Sequence, residues 1–245
     1  MSGAAGGAGR APARRAKAIV QGRGREHRVV VPLAFEVAAR ISARPLDAFR
    51  NDPTQLANGL GELRRAIGAD GIVVACAGGM ERASSAALDA SAIVANGPVA
   101  ASLEACRRLR ESFGDEAALL AGLTGPATLA RQFGADLAAA GAVFGELVKA
   151  FCAAGTQLVL VFEDDGAVLD DAWRAAVKTA DNIARFHQAG LMGWRLEGLP
   201  SPVMQPLAAP SADGLGFIMT DDVVAADADI AVLAAWVAGA RGVAA

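Results

Sequence analysis

Three consecutive carboxylates, Glu163-Asp164-Asp165, close an apolar run from Gln157 to Phe162. In a parallel α/β domain, acidic residues at the C-terminal end of a strand face the site. Glu163 and Asp165 are therefore the candidate catalytic acid and base. The competing reading is a solvated loop that caps the next helix. A second group, Gly125-Pro126-Ala127-Thr128, follows another apolar run. Gly125 permits a tight turn, Pro126 fixes it and Thr128 can cap the helix that follows. Such a turn aims backbone N–H groups at a ligand, and Arg131 lies one helical turn further on. Cys76, Cys106 and Cys152 are widely spaced with no C-x-x-C pair, so they read as reduced, structural thiols. Neither His27 nor His187 lies two residues before a cysteine, and no metal site is expected.

The elements that must position these residues follow from the hydrophobic pattern. Apolar runs at residues 29–35, 71–77, 117–124 and 157–162 predict strands buried on both faces. Weaker candidates lie at 192–196, 202–206 and 215–219. A helix is predicted over 47–67, where helical spacing places Leu56, Leu60, Leu63 and Ile67 on one face, with Gly68 as the stop. Further helices are predicted from Pro98 to Leu109, from near Thr128, over 143–154, over 171–188 and from Ile230 to Arg241. Residues 80–96 read as a loop with a short helix. Strand and helix alternate without hairpin signals, which predicts parallel strands.

Composition bounds the rest. The chain has 245 residues, 53% hydrophobic and 20% charged, with a formal net charge of −3. That suffices for one full α/β core and argues against a nucleic-acid partner or an anionic membrane surface. No apolar run reaches the ~18 residues of a membrane span, and no secretory pattern follows the basic N-terminus. The expected compartment is the cytoplasm. Arg10, Arg14, Arg15, Lys17, Arg23, Arg25 and Arg28 punctuate a Gly/Ala-rich leader. Residues 1–26 are therefore expected to form a flexible tail, with one domain over 27–245.

Four segments, in order, resemble the uroporphyrinogen decarboxylase superfamily. They are Asp52-Pro53 with the helix to Gly68-Ala69-Asp70, then Leu123-Thr124-Gly125-Pro126-Ala127-Thr128-Leu129-Ala130. Next comes the strand ending in Phe162-Glu163, and last Ile218-Met219-Thr220-Asp221-Asp222 before the final helix. The resemblance implies a (β/α) TIM-like barrel, incomplete or abbreviated in its second half at about 166–213. A full eightfold barrel takes ~250 residues without a tail. It also implies a small, anionic or tetrapyrrole-like ligand at the barrel mouth, held by Arg40, Arg131 and the Gly125–Thr128 turn, and chemistry that needs no cofactor.

The family's decarboxylase residues are mostly replaced. Arg40 matches the second of two family arginines, but Glu36 stands at the first; Ala77 stands where the family has its central aspartate; and the chain has no tyrosine. Decarboxylase or related lyase chemistry is the leading expectation. The alternatives are a non-catalytic partner subunit in a homodimer or heterodimer, and a relative of the superfamily's corrinoid-linked methyltransferases. In the methyltransferases, zinc is held by His-x-Cys and a distant Cys, a pattern absent here.

Overall fold

Each apolar run forms a strand: β1 (Arg28–Val30), β2 (Gly71–Ala75), β3 (Ala118–Thr124), β4 (Leu158–Phe162), β5 (Gly190–Gly193), β6 (Val203–Gln205) and β7 (Gly216–Thr220). The computed structural model describes residues 11–24, 26–76 and 78–242; Arg10, Arg25 and Ala77 lie outside them. The strands pair in parallel throughout, in the orders β1-β7-β6 and β2-β3-β4-β5. Helices connect β1 to β2, β2 to β3, β3 to β4 and β4 to β5, the crossovers that parallel pairing needs; β6 and β7 are also parallel but are joined by residues 206–215 without a helix.

Asp70 joins the two sheets. Its backbone N–H donates to Val30 O (3.0 Å), and its side chain accepts from Val30 N (2.9 Å). The same buried carboxylate is gripped by Arg15 (2.7 Å) and Arg241 (2.6 Å). On the far side the contact is thinner: Gly193 N donates to Pro200 O at 2.8 Å, just before β6.

The alternation of side chains along the strands builds two cores. One face packs Val29, Val31, Val73, Leu120, Leu158, Leu160, Phe217 and Met219 into a single cluster, with Met192 of β5 and Met204 of β6 against it. All seven strands contribute to that inner cluster. The other face packs against the helices: Val30, Ile72, Val74, Leu119, Val159, Val161 and Ile218 meet residues of α4 (Pro53–Ile67), α7 (Gly97–Phe113), α9 (Leu137–Ala154), α10 (Asp171–Phe186) and α11 (Ile230–Arg241).

Part of the expected tail is ordered. Residues 12–20 form helix α1 (Pro12–Val20), whose Ala16 is fully buried in the inner cluster with Ile19 and Val20 against it. Small apolar residues at Ala13 and Ala16 let the helix sit close on the strands, while Arg14 reaches Asp115 and Arg15 reaches Asp70. The basic residues hid this amphipathic pattern. Two other departures are local. The helix expected over 47–67 is broken by Asp52, whose side chain caps α4 by accepting from Thr54 N and Gln55 N after the short α3 (Leu46–Asn51). Helix α2 (Phe35–Ile41) occupies a stretch read partly as strand, beginning once Pro32 has ended β1.

Helix α9 is long and apolar enough, at 18 residues and mean hydropathy 1.6, to cross a membrane by length and composition, against the expectation that no segment is. Half of it is buried within the protein, where it packs on α10, on α8 (Pro126–Phe133) and on α7. That is the composition of a helix covered on several sides.

Asp70→Asn is expected to lower stability by roughly 2–4 kcal/mol in urea unfolding, because both guanidiniums lose their anion inside the fold. Arg15→Gln should cost more than Arg241→Gln, as Arg15 is the better buried partner (19% against 34% exposed). A change in the Asp70 variant within about 0.5 kcal/mol would mean that the node is dispensable.

Candidate functional site

The Gly125 turn sits where β3 ends and α8 begins, beside the end of β4. Gly125 N donates to Phe162 O at 2.7 Å, carrying the β3–β4 ladder one step further. The Glu163 carboxylate then closes the turn from outside. Its Oε1 accepts from Ala127 N (3.0 Å) and Trp173 Nε1 (2.7 Å), and its Oε2 from Thr128 N (2.7 Å). These are the orphan N–H groups of the first turn of α8, and an anion there also meets the positive end of the helix. Glu163 thus ties β4 to α8 and α10. Both oxygens are engaged, so the carboxylate serves as a cap supplied from the neighbouring strand.

This geometry revises the reading of the turn. Gly125 has an ordinary extended backbone (φ −73°, ψ 166°), so its glycine is not needed for the turn itself. It is needed for space: a Cβ there would collide with the Glu163 carboxylate. Pro126 takes the first helical position, where no N–H is required. Thr128 lies inside the first turn rather than capping it, and its hydroxyl accepts from Asp164 N at 2.8 Å.

The other expected residues are dispersed. Asp165 is exposed and makes no hydrogen bond among the described residues. Arg131 pairs with Asp164 on the surface, each about half exposed. Arg40 donates to the carbonyls of Ala226 (2.6 Å) and Ala228 (2.7 Å), securing α2 to the segment before α11. The structure brings together Glu163 with Gly125, Pro126 and Thr128, and leaves Arg40 apart from them.

Two further features lie at the same strand ends, the first without a sequence signal. Glu81, on α5 (Met80–Ser84), is fully buried and accepts from Thr124 N (3.0 Å) and the Thr124 hydroxyl (2.7 Å). It falls in the stretch whose pattern was ambiguous. Burial pushes its carboxyl above the ordinary value of 4.5, against the pull of the Thr124 donors. The second feature is Cys76, just past β2, where Arg50 and Glu36 act on it electrostatically. Burial pushes this thiol up to about 11, with Arg50 pulling it down and Glu36 raising it further. Arg50 lies over the Phe35 ring at 5.9 Å and makes no ion pair among the described residues. The thiol is protonated near neutral pH, and so is not a ready nucleophile.

A zinc site of the methyltransferase type does not fit these residues. No group of three His, Cys, Asp or Glu side chains that could hold a metal occurs among the described residues. The remaining residues carry none of those four types. Cys106 and Cys152 lie on α7 and α9, with burial pushing their thiols up to about 12 and 11.

No family model matches the chain, and no curated protein matches it by sequence. Its fold does match solved structures. One is a methyltransferase from Methanosarcina mazei, similar at a TM-score of 0.74 over 95% of this chain and 98% of that one, with 12% identity. The shared class is a mixed α/β fold with parallel sheets. At that identity the likeness concerns the fold.

Two outcomes test the site. Gly125→Ala should be costly alone and markedly less costly when combined with Glu163→Ala, with the Val161 contact left, giving a coupling of about 1 kcal/mol or more in a double-mutant cycle; additive losses would contradict the collision. For Glu81, the folded pKa lies above the unfolded one. Its contribution to stability is therefore greatest below the unfolded value of 4.5 and is lost as pH rises through the folded value. Melting temperatures of Glu81→Gln should accordingly gain on the wild type from acid toward neutral pH; parallel curves would contradict the assignment.

Proposed function

We propose that the chain is a relative of the corrinoid-linked methyltransferases within the uroporphyrinogen decarboxylase-like superfamily, one that binds a small anionic ligand without a zinc-activated thiolate. The observation that carries this reading is the fold likeness to a methyltransferase across nearly the full length of both chains. On this reading the two sheets are halves of one (β/α) barrel. The strand order, the Asp70 seam and an inner cluster fed by all seven strands support that closure.

The ligand then sits over the C-terminal strand ends. Arg50 is a cation at this end whose guanidinium makes neither an ion pair nor a hydrogen bond among the described residues, whereas Arg40, Arg82 and Arg195 donate to backbone carbonyls and Arg131 pairs with Asp164. Glu163 positions the Gly125 turn instead of moving a proton. Asp165 is the carboxylate of the pair left free. A guanidinium over the Phe35 ring, near enough to pull down the Cys76 thiol, suits a compact anion with an apolar or thiol-bearing end. Zinc-dependent thiol activation finds no ligand set, and the decarboxylase reading has Glu36 in place of an arginine. The reading keeps a cytoplasmic location, in keeping with three unpaired cysteines. It also keeps a dimer, for which exposed Phe186 and Leu215 offer apolar contact.

Titration calorimetry with 2-mercaptoethanesulfonate, in buffers of differing ionisation enthalpy, tests this reading. Saturable binding that releases no proton and weakens about tenfold in Arg50→Gln is expected, since a metal-free site leaves the thiol protonated. Binding that is absent, or equal in the variant, would overturn it. Conversion of uroporphyrinogen to coproporphyrinogen would establish the decarboxylase in its place.

A further inference from the structure

The thin side of the strand array opens into a cleft of about 540 Å³, between the end of α1, the start of β5 and residues 199–200. It lies at the N-terminal ends of the strands, opposite the Gly125 turn, and its size is that of a small-molecule site, ~300–1,000 Å³. Its floor is apolar, with Ile19, Val20 and Leu199. Its rim carries two guanidiniums. Arg185 is neutralised by Asp181 at 2.8 Å, whereas Arg23 contacts the Gln21 amide oxygen and makes no ion pair among the described residues.

The edge of β5 adds a second observation. Gly190 N and Trp194 N donate to Gln157 O and Val161 O, along the β4 side. Ladder parity therefore turns Leu191 and Gly193 the other way. Gly193 N is taken by Pro200 O. The buried Leu191 keeps its N–H and C=O toward the cleft, with no partner among the described residues. Buried backbone groups are almost always paired, so a donor and an acceptor left side by side on a strand edge call for a complementary amide.

We infer that this cleft binds an acylated amino acid or a peptide C-terminus. The ligand's amide pairs with Leu191 as one added step of strand, its apolar side chain fills the floor, and its carboxylate meets Arg23. The site is separate from the one proposed at the strand C-termini and does not depend on it.

The experiment is titration with N-acetyl-leucine and with N-acetyl-leucinamide, followed by calorimetry and by the Leu191 amide resonance. The acid is expected to bind about tenfold tighter than the amide, and Arg23→Gln, an exposed change, to remove most of that preference. Both ligands should shift the Leu191 amide. Equal affinity of acid and amide, a preference that survives in Arg23→Gln, or an unmoved Leu191 amide would each overturn the inference. A pentapeptide ending in leucine separates the sources. Tighter binding than N-acetyl-leucine points to protein C-termini and equal binding to free acylated amino acids, the shared chemistry being upheld in both.

Discussion

The fold turns on one buried carboxylate. Asp70 stands where β1 and β2 must meet; the two sheets share no ladder there, and its two hydrogen bonds with Val30 join them. Its oxygens take a backbone N–H and two arginines, one from the first helix and one from the last. A buried anion of this kind is stable only when every partner is present, so its loss leaves uncompensated charge instead of a simple gap. The node thus couples the two ends of the chain to the seam between the sheets. It also explains the ordering of α1, whose Arg15 and Ala16 serve that node and the inner core respectively.

A similar logic governs the opposite end of the strands. Glu163 and Glu81 carry carboxylates at positions where a parallel α/β protein often has its chemistry, and both are spent on backbone donors. Glu163 holds the start of α8, and Glu81 holds the end of β3. The charges without a partner there among the described residues include those of Arg50 and Asp165, with Glu36 and the protonated Cys76 near Arg50. An array of this kind can bind and orient an anion. Among the described residues there is no side-chain set for zinc, while the backbone stays close to a methyltransferase in shape.

The sequence made the strands legible because their apolar runs are nearly continuous, and Gly68 marked the end of α4 as a left-handed stop at φ 67°. It did not reveal α1, where alternating arginines and alanines read as a solvated leader. Nor did it reveal that Glu163 caps the helix before it in sequence, since a cap contributed by the neighbouring strand leaves no local pattern. Gly125 was recognised for the wrong reason. Its backbone is unstrained, and the approach of Glu163, with Val161 close behind, requires a residue without a side chain. Glu81 was hidden because a buried carboxylate in a short, weakly periodic helix looks like any surface glutamate. Arg40 resembled a ligand contact by register alone, and the register could not show that two carbonyls of the closing segment already hold it.

The chain keeps a methyltransferase-like fold, and its described side chains offer no ligand set for zinc. The zinc content of the purified protein, measured by elemental analysis after equilibration with excess zinc and passage over a weak chelator, tests this most directly. The account predicts well below one zinc per chain. Retention of one zinc per chain, lost on substitution of Cys76, would contradict it.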